Sequence, residues 1–317
     1  MDLQYKNLCK KRIKLIYNPV SGVNKESPAQ LTNVITELQM WNFDPELLVT
    51  EKDTDYAAVV RDAVENGIRL FAVCGGDGTV SSVARAIYGT KATLGIIPTG
   101  TQNNVAMSLG LPNGIKEAIA ILRTGRLIKS DIGLVTCGNT TVPFIEICSV
   151  GLFSALFESG DDIQHGDISR IGDFLATLTT STPSKIRLIL DKKEEIEAPG
   201  HVVLVSNMPY IGRRYQVGSK DSYRDGLLDV IFCADIPKLD LMVGYILKLP
   251  GLNVSEDSRI KRFQVKNVVI EARPEMPVMA DGIALEKDKV KIEIHRGALS
   301  VMAGPIRRKG KKGEKSL

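Results

Sequence analysis

Four apolar residues, Leu70-Phe71-Ala72-Val73, run into Cys74-Gly75-Gly76-Asp77-Gly78-Thr79, and Val80 to Ile87 then shows helical apolar spacing. Strand, glycine turn and helix in that order describe a phosphate-binding unit. Glycine lets the backbone turn sharply and approach an anion, while the free N–H groups and positive dipole end of the following helix face it. An aspartate inside such a turn would repel phosphate. Asp77 therefore has two readings: a helix cap, or a group that holds a metal, orients a hydroxyl or accepts a proton.

At 317 residues the chain exceeds the usual size of one domain, and two are expected, each with its own core. A net charge of +4 is too mild to argue for nucleic acid. The positive charge is unevenly placed, with Lys6, Lys10, Lys11, Arg12 and Lys14 at one end and Arg307, Arg308, Lys309, Lys311, Lys312 and Lys315 at the other. These read as solvated tails, or as a weak electrostatic contact with anionic membrane worth about 1 kcal/mol per basic residue. Five scattered cysteines within apolar runs suit buried thiols in a reducing compartment. With no apolar signal core and no run of ~18 apolar residues, a cytoplasmic protein is expected, at most peripheral at the membrane. No cysteine and histidine spacing suggests zinc, and His165, His201 and His295 are isolated.

Read in order, residues 12–17 form a strand stopped by Asn18-Pro19-Val20-Ser21-Gly22, where Asn18 and Ser21 either donate to a phosphate or stabilise the turn. A helix from Ser27-Pro28 carries Leu31, Val34, Ile35 and Leu38; a strand over 46–50, a helix over 53–66 and a strand over 68–73 follow. This alternation predicts a parallel sheet with ligands beyond the carboxyl ends of its strands, where the glycine turns lie. A helix over 79–88 and a strand over 92–97 lead to Pro98-Thr99-Gly100-Thr101-Gln102-Asn103-Asn104, which opens a helix over 104–109. Three polar loops of this kind can converge on one crevice. A last helix over 114–122 completes an α/β unit, and no Walker-type lysine motif is present.

From Arg126 the period shifts to two, with strands expected over 127–135, 142–149, 185–190, 201–206, 228–232, 263–271 and 290–294. This half reads as an antiparallel sandwich or barrel, interrupted by apolar helical segments over 168–178 and 239–249. Its edge strands could pair two copies into a dimer. Asp225 and Asp229 stand four apart around a turn, a candidate hard-cation site or an ordinary Asp-Gly turn. Asp281-Gly282 reads first as a hairpin.

Taken together, Asn18 to Gly22, Gly75 to Thr79, Ile97 to Thr101 with Asn103, Asp225 to Asp229, Asp281-Gly282 and Gly297 to Val301 resemble the diacylglycerol kinase catalytic-domain family, in order and over about residues 12–305. That family includes bacterial soluble lipid kinases and the sphingosine and ceramide kinases. The resemblance implies an amino-terminal doubly wound α/β domain, similar to phosphofructokinase and NAD kinase, over 1–125, with 296–317 returning to it. It implies a carboxyl-terminal antiparallel β-sandwich-like substrate domain over 126–295. By position it assigns Asn18, Ser21, Gly22, Gly75, Gly76, Gly78, Thr79, Thr99, Gly100, Thr101 and Asn103 to ATP, Asp77 to the reacting hydroxyl, and Asp225 to Mg²⁺. The acceptor it implies is a lipid or lipid-like alcohol.

The departures are specific. Ser82 stands where the family usually has Glu, Gln102 and Asn104 where it has Gly and Asp, Ile283 where it has Glu, and Glu146 where it has Asn; Ser219 and Asp221 replace a Pro and an Ala. Each lost acid or base costs about 10²–10⁴-fold in rate. Three readings follow: an ATP- and Mg²⁺-dependent lipid kinase with Asp77 as surviving base, a relative that binds nucleotide or lipid without turnover, and NAD kinase, against which the 97–103 and 225–229 strings argue.

Overall fold

A computed structural model describes residues 10–22, 28–152, 154, 183–211, 215–234 and 259–304. The basic termini, apart from Lys10, Lys11, Arg12 and Lys14, and the apolar segments over 168–178 and 239–249 lie outside these residues.

The first half alternates strand and helix: β1 (Lys11–Tyr17), α1 (Pro28–Met40), β2 (Phe43–Val49), α2 (Tyr56–Glu65), β3 (Leu70–Gly75), α3 (Asp77–Ile87), β4 (Thr93–Pro98), α4 (Asn104–Ser108) and α5 (Ile115–Thr124). The strands pair in parallel in the order β2-β1-β3-β4. Their side chains alternate between two cores. Ile16, Phe71, Val73, Leu94 and Ile96 pack with Val60 and Ala63 of α2 and with α3, while Ile13, Leu15, Leu70, Ala72, Cys74 and Ile97 pack with Val34 and Leu38 of α1 and Ile119 and Leu122 of α5. Helices therefore cover both faces, which is why these strands read as nearly unbroken apolar runs. Helix α2 starts at Tyr56 rather than Asp53 because Asp55 caps it, its Oδ1 accepting from the Ala58 N–H at 3.0 Å.

The second half contains β5 (Arg126–Cys137), β6 (Thr140–Phe144), β7 (Ile147–Gly151), β8 (Ser184–Leu190), β9 (Glu194–Ser206), β10 (Tyr210–Ile211), β11 (Tyr215–Gln216), β12 (Leu228–Ala234), β13 (Ile260–Val265), β14 (Asn267–Arg273), β15 (Val278–Ala280), β16 (Ile283–Leu285) and β17 (Val290–Ala303). Strand β9 serves two layers. Its first part pairs with β8 and its last part lies between β7 and β12, with the change at Gly200, where a Cβ would stand 2.7 Å from the Phe232 ring. One core, including Phe144, Val203, Val205, Phe232, Val268 and Ile292, lies between the layers, giving the expected antiparallel sandwich-like architecture.

Two expected strands are each divided. Residues 142–149 break at Ile145-Glu146, and 263–271 break at Lys266, where Asp191 Oδ1 accepts from the Lys266 and Asn267 N–H groups. Strand β17 is far longer than the expected 290–294. It runs antiparallel to β5 along its length and ends parallel to β4 through Ser300 and Val301, joining both halves in one sheet. Its register shifts between His295 and Leu299, where Gly297 has φ +59°. The bulge is held by Asp131 of β5, 2 % exposed, whose Oδ1 accepts from the Gly297 N–H and Oδ2 from the Gly226 N–H, both at 2.7 Å. Cys74, Cys137, Cys148 and Cys233 are free and buried, as their apolar settings suggested, and burial pushes the Cys74 thiol up to about 12.

Candidate active site

The ends of β1, β3 and β4 bring the three polar loops together. Gly76, the N-cap of α3, and Gly100 approach so closely that a Cβ on Gly100 would overlap Gly76 Cα and lie 2.9 Å from Asn103 Oδ1. A Cβ on Gly76 would stand 3.4 Å from Ser21 Oγ, and one on Gly22, at φ +85°, would overlap the Thr99 carbonyl. Gly75 ends β3, accepts from the Thr99 N–H at 3.2 Å and leaves room for Thr79. Asn18 Nδ2 donates to Thr79 Oγ1 at 2.8 Å, tying the first loop to α3. Asn103 sits at φ +56° and closes its own loop, Oδ1 accepting from the Gly100 N–H at 3.0 Å and Nδ2 donating to the Gly100 carbonyl at 2.8 Å. Thr101 lies on the exposed rim. Gly78 is different: a Cβ there meets nothing within 4 Å, so packing does not require glycine.

This arrangement fits a polyphosphate. Backbone without side chains lies at the loop crossing, and α3 starts there from a side-chain-free cap with its positive dipole end toward the crossing.

Asp77 lies in the first turn of α3. It is a cap, but of α4 rather than α3: Oδ1 accepts from the Val105 N–H at 3.1 Å, and the Asn103 and Asn104 amides add to this. Burial raises its carboxyl above the ordinary value, and those amide bonds oppose the rise.

Beside it are residues whose role the sequence did not reveal. Glu146 stands at the break between β6 and β7, 8 % exposed, and accepts from Asn104 Nδ2 at 2.7 Å. Burial, then the charges of Asp77 and Asp281, raise it well above the ordinary carboxylate range. Asp281 turns from β15 to β16 at φ +41°, a hairpin as expected, but its carboxylate also accepts from the N–H groups of Ile145 at 2.7 Å, Glu146 at 3.1 Å and Ile147 at 2.8 Å. Those bonds make the break that presents Glu146. Arg85 of α3 is the nearby cation: burial lowers its pKa and Asp281 opposes that shift, while Nη2 donates to Ser82 Oγ at 3.1 Å. Two buried atoms here, Asn104 Oδ1 and Arg85 Nη1, have no hydrogen-bond partner among the described residues. Ile283 packs against the second core.

Asp225 stands apart from these carboxylates. It accepts from the Leu227 N–H at 2.9 Å, and burial, followed by the charges of Asp229, Asp131 and Asp221, raises its pKa. Asp131 is fully engaged with Gly226 and Gly297, and Asp229 accepts from Gln264 at 2.9 Å. Among the described residues no group of three His, Cys, Asp or Glu side chains could enclose a metal. A single carboxylate suits Mg²⁺, which is commonly held by one or two carboxylates with substrate phosphates and water. Among the described residues, no helix is long and apolar enough to cross a membrane.

Residues 12–135 match the diacylglycerol kinase catalytic domain, and residues 162–303 match the YegS C-terminal NAD kinase beta sandwich-like domain. A diacylglycerol kinase of Mycobacterium tuberculosis is 28 % identical over 275 residues, covering 86 % of this chain and 88 % of its own. Among solved structures, a diacylglycerol kinase from Bacillus anthracis superposes with a TM-score of 0.72 at 23 % identity, covering 93 % of this chain and 98 % of its own. An NAD kinase from Archaeoglobus fulgidus in complex with ATP gives 0.54 at 13 %, covering 92 % and 94 %. These two structures establish a shared fold. With residues 12–135 and 162–303 both matched and the Mycobacterium tuberculosis relative aligned along 88 % of its own length, the chain is a divergent member of the diacylglycerol kinase catalytic-domain family.

Proposed function

We propose that this protein transfers the γ-phosphoryl group of ATP to the hydroxyl of a lipid or lipid-like alcohol with the help of Mg²⁺. The observation that carries the reading is the side-chain-free crossing of Gly76 and Gly100 at the start of α3, flanked by Ser21, Thr99 and Asn103. Family membership supports a lipid-kinase-like phosphotransferase, and the ATP-bound NAD kinase of the same fold supports ATP as donor.

Phosphoryl transfer asks a protein mainly for positioning and charge neutralisation. Ser21, Gly22, Gly75, Gly76, Gly78 and Thr79 would hold the phosphates together with Thr99, Gly100, Thr101 and Asn103, while Asn18 fixes Thr79. Asp77 orders α4 and sets a carboxylate beside the phosphate turn, on the side from which the acceptor hydroxyl would approach. Asp225 is the proposed ligand of Mg²⁺, which when bound offsets phosphate charge. An acceptor with an acyl chain would approach over the second half, and the basic termini would add weak attraction to anionic lipid. A dimer formed through second-half edge strands is a further proposal.

The test is incubation with γ-labelled ATP, Mg²⁺ and mixed membrane lipids, with NAD in a parallel reaction. Label in the lipid fraction, lost in Asp77→Ala, supports the reading. Bound ATP with no labelled product points to a binding protein, and labelled NADP to an NAD kinase.

A further inference from the structure

Three carboxylates meet beside the phosphate turn, and their hydrogen bonds divide them. Asp77 is committed to the amides that open α4, and Asp281 to the three amides of Ile145, Glu146 and Ile147. Among the described residues, the Glu146 side chain has one hydrogen-bond partner, Asn104 Nδ2. Asn104 is 8 % exposed, and its Oδ1 is an acceptor with no donor among the described residues, at the same place. A hydroxyl entering here finds one unsatisfied acceptor to orient it and one carboxylate free to take its proton.

From this geometry we infer that Glu146 is the catalytic base of this chain, with Asn104 orienting the acceptor hydroxyl and Asp77 and Asp281 as positioning residues. The inference rests on the phosphotransfer reading above. The hydroxyl O–H bond breaks toward a Glu146 carboxylate oxygen, and the hydroxyl oxygen bonds to the γ-phosphorus. The bond from γ-phosphorus to the β–γ bridging oxygen breaks and its electron pair leaves with ADP; Glu146 then returns its proton to solvent. Its environment suits the task. Burial and the charges of Asp77 and Asp281 raise its pKa against the Asn104 hydrogen bond, while Arg85 is the cation that acts on Asp281, and a base works best with a pKa near the working pH.

The test compares wild type, Glu146→Gln, Glu146→Asp and the double variant Asn104→Asp/Glu146→Asn over a pH series, with binding of a non-hydrolysable ATP analogue measured on each. In Glu146→Gln, kcat should fall about 10²–10⁴-fold, the acid limb of the wild-type profile should disappear, and analogue affinity should stay within about twofold. Glu146→Asp and the double variant should recover part of the rate. In the free protein, a carboxyl carbon signal titrating above the ordinary carboxylate range should vanish in Glu146→Gln. Wild-type kcat in Glu146→Gln, a loss that leaves the acid limb intact, or equal losses of rate and analogue binding would each overturn the assignment alone. A wild-type chain that transfers no phosphoryl group overturns it together with the function proposed above.

Discussion

Asn104 donates its side-chain amide to Glu146 at 2.7 Å, while its own backbone N–H contributes to the capping of α4 by Asp77. One residue thus couples the glycine turn of the first half to the β6–β7 break of the second.

Replacing Asp77 tests that coupling. Asp77→Ala should lower kcat by about 10²-fold through misplacement of α4 and Asn104 and, because the α4 amides lose their acceptor, reduce stability by about 0.5–2 kcal/mol. Chemical unfolding beside steady-state kinetics checks both; loss of rate at full stability would show that its capping role is negligible.

The two glycines of the phosphate wall should behave oppositely. Gly100→Ala forces a Cβ onto Gly76 Cα, and overpacking costs about 1–3 kcal/mol together with weaker nucleotide binding. Gly78→Ala meets nothing within 4 Å in the first turn of α3 and should stabilise by about 0.5–1 kcal/mol. Thermal melts with and without ATP separate the two.

Asp131 should be a structural keystone. Asp131→Ala strands two backbone N–H groups that donate to its carboxylate at 2.7 Å, an expected loss of about 3–6 kcal/mol. Denaturant titration measures it, and Asp131→Asn, which keeps one acceptor, should fall between.

The buried carboxylates also set a pH trend. Burial raises Glu146, Asp77 and Asp281 in the folded state, so the folded chain holds their protons more tightly than the unfolded chain does. Their contribution is complete below the ordinary carboxylate range, 4.5 for glutamate, and is lost as pH rises through the folded values. Glu146→Gln keeps an acceptor for Asn104 and removes one such group. Its melting temperature relative to wild type should therefore increase with pH, which paired melts across the acidic to neutral range would show.

The glycine loops were legible because their signals are local: Gly75-Gly76, Gly100 and Gly22 follow apolar runs and precede helices within a few residues. Glu146 was not. Residues 142–149 read as one alternating strand, and the break that turns Glu146 toward Asn104 comes from Asp281, distant in sequence, taking three successive amides. Asp131 was hidden similarly inside the apolar alternation of β5, since its partners Gly226 and Gly297 are brought to it only by the fold. The position of Ile283 against the second core shows the converse, a departure from the family pattern that local packing explains.

The central claim is phosphoryl transfer to a lipid alcohol, and it is tested most directly by γ-labelled ATP, Mg²⁺ and vesicles containing diacylglycerol and other membrane lipids, followed by organic extraction. The expected result is label in an extracted lipid phosphate, abolished in Asp77→Ala. Tight ATP binding with no label in the organic phase from any membrane lipid would contradict it.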